Sequence, residues 1–125
     1  MDADAIEQLL CGLEHTTVRE RTRAQLELTK LRPAAIAPNA TTIAAAIAKR
    51  LEHELRSVRV AALQLMHSKL RSDTLATHAG AIARQLNDTD AYVQRLVLQT
   101  LRKVDASALA PHSEAMMERL VEIGG

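Results

Sequence analysis

One register recurs three times along the chain, and such repetition decides a fold before any local propensity does. Leu13-Glu14-His15 recurs as Leu51-Glu52-His53, and Leu86-Asn87-Asp88 takes the third place, at spacings of 38 and 35 residues. Eight residues after each leucine stand Arg21, Arg59 and Gln94; three further on, Ala24, Ala62 and Val97; four beyond those, Leu28, Met66 and Leu101. A second block follows: Ile36-Ala37-Pro38-Asn39, Leu75-Ala76-Thr77-His78 and Leu109-Ala110-Pro111-His112. Six and ten residues past its alanines come Ile43, Ile82, Met116 and then Ile47, Leu86, Leu120. From Ala37 to Leu51 is 14 residues, but from Ala76 to Leu86 only 10. An insertion of four is close to one helical turn and keeps Ile43, Ile47 and Leu51 on one face.

Each copy therefore reads as two helices. Apolar residues at helical spacing mark the first, as in Val58, Ala61, Ala62, Leu65, Met66 and in Val93, Leu96, Val97, Leu101. Residues 3–13, with Ile6, Leu9, Leu10 and Leu13 on one face, match a lone second helix. The pattern predicts seven helices, at 3–14, 18–32, 40–53, 57–70, 74–86, 91–104 and 112–123. Thr17 with Glu20 forms a capping box, Ser57 and Asp90 are candidate N-caps, the three prolines fall between helices, and Gly124 is a helix stop. Ala62, Leu65, Ile82, Leu86, Val97 and Leu101 occupy shared apolar positions and should be core.

Composition agrees. Ala and Leu make up about a third of the 125 residues, with one Tyr, no Phe and no Trp. Such a chain builds a close-packed aliphatic core and lacks the means for an aromatic-lined pocket or a base-stacking platform. The formal charge is +1, unevenly spread: residues 1–18 carry −4, residues 19–71 carry +7 and residues 72–125 carry −2. Cys11 is alone and, among Leu9, Leu10 and Leu13, reads as a small buried hydrophobe. The acidic start lacks a signal-peptide pattern, no apolar run approaches a membrane span, and the two sequons at Asn39 and Asn87 are read as chance. The compartment expected is cytoplasm or nucleus.

The 35–40-residue helical pair with Arg-x-x-Ala-x-x-x-Leu in its first helix resembles a HEAT repeat. Leu86-Asn87-Asp88-Thr89-Asp90-Ala91-Tyr92-Val93 looks like the turn between neighbouring HEAT units, and Val58-Arg59 matches part of the same motif. The likeness spans roughly residues 6–123. It implies membership of the armadillo-like α-solenoids: an all-α, right-handed α-α superhelix of about three and a half pairs. The half repeat would be 3–14, and the repeats 17–53, 54–86 and 90–123. The start is similar to that of longer solenoids of importin-β type, so the chain is expected to be free-standing or the N-terminal piece of one. Arg21 and Arg59 should pair with carboxylates or carbonyls of adjacent turns.

Nothing in the sequence assembles chemistry. His15 and His53 share one register position, as do His78 and His112; equivalent positions on neighbouring helices lie about 10 Å apart. Ligands of one metal must come within about 4 Å of each other. His53-Glu54 is similar to the His-Glu pairs of the HEAT-fold di-iron hydroxylases, but that family needs several such pairs in different repeats and this chain has one. There is no phosphate loop and no nucleophile elbow. The expectation is a non-enzymatic scaffold or adaptor with no cofactor, no metal, no small-molecule substrate and no membrane. Its partner is another protein, a helix or extended peptide, held on the second-helix face around Thr42, Ala46, Lys49, Arg84 and Arg119. The alternative is a nucleic-acid-associated module binding phosphates through the basic region 19–71.

Overall fold

The computed structural model describes residues 3–112, which are helical with no strand among them. Helix α1 is Ala3–Gly12, α2 Val18–Thr29, α3 Pro33–Ile36, α4 Ala40–Ala48, α5 Arg56–Lys69, α6 Ser72–Thr77, α7 Ala79–Arg84, α8 Ala91–Leu101 and α9 Ala106–Leu109. Short 3-10 turns at Ala37–Asn39, Gln85–Asn87 and Ala110–His112 join or extend them. The last expected helix, 112–123, and with it Met116, Arg119, Leu120 and Gly124, lies outside the described residues.

The caps explain most boundaries. Thr17 accepts the Glu20 N–H, and Asp90 accepts the N–H groups of Tyr92 and Val93. Pro33 opens α3, where its missing N–H costs nothing. Ser57 is not a cap. Helix α5 begins at Arg56, and the carbonyl of Leu55 takes the N–H groups of Val58 and Arg59, so Ser57 falls inside the first turn.

The helices expected at 3–14, 18–32 and 91–104 end two or three residues early, and two others differ more. The segment 40–53 is helical only to Ala48, after which the chain tightens through i→i−3 bonds from Arg50 and Leu51. The segment 74–86 begins earlier, at Ser72, and bends at His78 (φ −109°, ψ 14°), whose N–H bonds the Leu75 carbonyl. The bend falls at the register of Asn39 and His112, each preceded by proline. The first two copies thus interrupt the helix at the same point, the second without a proline, and the third has a 3-10 turn, Ala110–His112, leading up to it.

Packing follows the register. Helix α2 packs on α5 and α5 on α8; α1 packs on α4 and α4 on α6. Cross-contacts of α1 with α2, α4 with α5 and α7 with α8 tie these two rows together. One apolar cluster runs through from Ile6 to Val104. All six expected core residues are buried, and so are the leucines that open each copy, Leu13, Leu51 and Leu86. Burying such a side chain contributes roughly 1.5–3 kcal/mol. At Gly12 an added Cβ would stand 2.8 Å from the Cβ of Ala24, so α1 crosses α2 closely, backbone to side chain. The α2–α5 seam is looser, with a groove of about 330 Å³ over Leu28, Ala61 and Leu65.

Cys11 departs from expectation: it is exposed. Helix α1 buries Ile6 and Leu10, and one residue beyond Leu10 is a rotation of roughly 100°, which carries Cys11 off that stripe.

Candidate partner-binding surface

The turns between copies are built from one repeated set of bonds. His15 Nδ1 accepts the N–H of Thr17 at 3.2 Å, His53 Nδ1 accepts that of Leu55 at 3.1 Å, and Asp88 Oδ1 accepts that of Asp90 at 2.9 Å. Six residues beyond each of these comes the second element. Arg21 Nη1 donates to the His15 carbonyl at 2.8 Å, Arg59 Nη1 to that of His53 at 3.0 Å, and Gln94 Nε2 to that of Asp88 at 2.6 Å. Arg21 and Arg59 each hold the next carbonyl too, of Thr16 and Glu54. The histidines at this position therefore act as short-range acceptors, a task aspartate performs in the third copy.

Neighbouring turns are then joined to one another. Glu14 Oε1 lies 3.1 Å from His53 Nε2, and Glu14 Oε2 lies 3.4 Å from Arg50 Nη2. Arg50 is buried, bonds the Ala46 carbonyl at 2.7 Å and approaches the Cys11 sulfur at 3.5 Å. Arg59 Nε stands 2.7 Å from Asp88 Oδ2, close enough for an ion pair though not aligned as a hydrogen bond. Along the first-helix row, Gln25 bonds Gln64 and Gln64 bonds the Tyr92 hydroxyl. Arg56 stacks over the Tyr92 ring and pairs with Asp90.

Two expected outcomes test these turns. Because Nδ1 of His53 accepts a backbone N–H, its proton sits on Nε2, toward Glu14. His53→Ala removes both bonds and should cost about 1–2 kcal/mol. His53→Asn, which restores an acceptor at the same distance along the chain, should recover at least half of that in urea melts. The second concerns Asp90. Arg56, and after it the Val93 and Tyr92 N–H groups, hold its carboxyl below the ordinary carboxylate range. A carboxyl depressed on folding stabilises above its unfolded value, and that contribution is lost as pH falls through the folded one. The melting-temperature gap between wild type and Asp90→Asn should therefore narrow on going from neutral pH to about pH 3. An equal gap at both would remove the ion pair from the account.

Of the residues expected on the second-helix face, Thr42, Lys49 and Arg84 are exposed, and Arg119 lies outside the described residues. Ala46 does not belong. It is buried with Ile43, Ala44 and Ile47, because α4 is packed by α1, α5 and α6 and keeps only a narrow solvent stripe. That stripe runs Thr42, Ala45, Lys49. Asp4, Glu7 and Cys11 of α1, which packs on α4, and Arg84 of α7 are also exposed.

The basic region 19–71 does not form one uniform face. Arg21 and Arg59 serve the turns, Arg50 is buried, Lys69 Nζ donates to the Thr29 carbonyl at 2.8 Å, and Arg56 pairs with Asp90. Lys30 and Arg71 each have a carboxylate at 3.7 Å, Glu27 and Asp73. Among the described residues, Arg19, Arg23, Arg32 and Lys49 are the bases of this region in no ion pair or side-chain hydrogen bond. Also among the described residues, no group of three His, Cys, Asp or Glu side chains is placed to hold a metal ion, and no helix is long and apolar enough to cross a membrane. Compared with protein-family models, curated proteins and solved structures, the chain finds no match.

Proposed function

We propose that this chain is a non-enzymatic protein-binding scaffold of HEAT type, a right-handed α-α superhelix of about three and a half helical pairs that works in the cytoplasm or nucleus. The observation that carries the reading is the turn made three times with the same bonds at the same register, from His15 and Arg21, His53 and Arg59, and Asp88 and Gln94. Units that join by one repeated turn stack their helices in rows, bury a shared core and offer long surfaces to other molecules. The surface proposed for the partner is the solvent side of the α1, α4 and α7 row, around Thr42, Lys49 and Arg84. Ala45 takes the place of Ala46. Its small side chains suit a partner helix or an extended peptide.

Phosphate binding by the basic region is the weaker reading, because so many of its cations already serve turns, helix ends and carboxylates. A photo-crosslinking residue at Thr42 should capture the partner from cell extract, and one at Val18, exposed on α2, should not. Lys49→Glu with Arg84→Glu should reduce capture at least roughly tenfold while leaving the helical circular dichroism intact. Capture that survives the double reversal, or that occurs equally from Val18, would move the binding surface elsewhere. Recovery of nucleic acid through Arg19 and Arg23 would replace the proposal.

A further inference from the structure

A second surface lies at one end of the helices, where each first-row helix turns into the second row. Lys69 Nζ reaches back to the Thr29 carbonyl at the end of α2, and Lys103 Nζ reaches the carbonyls of His67 and Leu70 at the end of α5. These bonds set three turns side by side: residues 30–32, 69–71 and 102–105. Together they carry Lys30, Arg32, Lys69, Arg71, Arg102 and Lys103. Arg32, Arg71 and Arg102 are exposed, and the lysines that bond carbonyls keep further N–H donors. The carboxylates facing them are Glu27, Asp73 and Asp105, half as many. Cations at the ends of α2, α5 and α8 also suit the helix dipoles, which explains why bases collect here but not what lies between them.

Between the first two turns is a recess of about 320 Å³, walled by Pro33, Ala34, Ile36 and Leu70, with Lys69, Arg71 and the Asp73 that pairs with Arg71 at its edge. An apolar recess with a cationic rim fits a ligand that is apolar at one point and anionic around it. A nucleic-acid backbone is anionic at every step and has no aliphatic side chain to seat in the recess. The chain's one tyrosine, which could stack a base, lies in the first turn of α8, at the opposite end of that helix from the basic turn 102–105. A protein segment of Asp and Glu around one aliphatic residue satisfies both features.

We propose that this recess and its basic turns bind an acidic peptide segment, one apolar side chain seated between Pro33, Ala34 and Leu70 and its carboxylates paired with Arg32, Lys69, Arg71 and Arg102. The surface is separate from the α1, α4 and α7 face, so the two proposals fail independently.

The test uses a short fluorescein-labelled peptide of Asp and Glu with one central leucine, titrated by anisotropy at low and at physiological salt. It should bind saturably and weaken with salt. Exchanging the leucine for alanine should weaken binding roughly tenfold. Arg32→Glu with Arg71→Glu should weaken it at least roughly tenfold. Ala34→Phe, at an exposed position that leaves the core untouched, should abolish the preference for leucine over alanine. Lys49→Glu with Arg84→Glu should bind the peptide as wild type does. No saturable binding by wild type, equal affinity for the two peptides, or tighter binding of an oligothymidylate of matched length would each overturn the proposal. So would indifference to Arg32→Glu with Arg71→Glu when circular dichroism shows that variant folded.

Discussion

Leu86→Ala is expected to lower the free energy of unfolding by roughly 2–5 kcal/mol, read from urea melts. Leu86 is 1% exposed and sits in the 3-10 turn Gln85–Asn87, which packs on α8. It belongs to the second copy by chain order and helps to bury the third, so its loss opens a cavity where two copies meet. Alanine loses the transfer free energy of the removed atoms, and a cavity adds to the cost because α7 and α8 close over it only in part. Leu26→Ala is the matched control: Leu26 is 56% exposed on α2, and its truncation should stay within about 0.5 kcal/mol. A cost at Leu86 as small as the control's would mean that the repeat register has been assigned wrongly.

Arg59→Met should cost about 2–3 kcal/mol, the order expected for two lost carbonyl bonds and a partly buried ion pair. The Arg59 side chain is 17% exposed and that of Asp88 7%. One guanidinium holds the carbonyls of His53 and Glu54 in its own turn and the Asp88 carboxylate in the next. Methionine fills much of the space but leaves Asp88 charged and without its cation. A double-mutant cycle separates that penalty from the lost carbonyl bonds. Asp88→Asn keeps an Oδ1 for the Asp90 N–H and removes the charge. The double variant Arg59→Met with Asp88→Asn should therefore be more stable than Arg59→Met alone. If the double variant is the less stable of the two, a stranded carboxylate is not the cause. Arg59→Lys should recover only part of the loss, since an ammonium cannot span three acceptors in a planar fork.

The all-helical class was legible because apolar residues recur at helical spacing along the chain. Leu13, Leu51 and Leu86 are recognisable as equivalent, and equivalence predicts burial without knowledge of any contact. Thr17 and Asp90 were legible as caps because a cap acts within three residues of itself. Arg21 and Arg59 were expected to bond turn carbonyls or carboxylates, and both hold carbonyls. Ala46 illustrates what was not legible. The moment of a helix gives the centre of its buried stripe, but the width of that stripe depends on how many helices pack around it, and α4 has three. Cys11 fell on the wrong side of α1 for the same reason. The bend at His78 escaped notice because no proline marks it, although the register of Pro38-Asn39 and Pro111-His112 was available as a signal. The acceptor role of His15 and His53 was hidden by residue type. Histidine is not the expected residue for a task that Asp88 performs in the third turn, and only the shared position connected the three. The pairing of Glu14 with His53 and Arg50, across more than thirty positions of sequence, had no sequence signal at all.

The unequal seams of the α2, α5, α8 row have a mechanical consequence. Under a tensile load along the row, α2–α5 and α5–α8 act as links in series, each carrying the same force, and a series yields at its weakest link. The groove over Leu28 and Leu65 leaves the α2–α5 link with less contact to break, while Arg56, Tyr92, Lys103 and Arg59 clamp the α5–α8 region. Rupture should begin by peeling α2 away from α5, with α5 and α8 still coupled as the first extension appears.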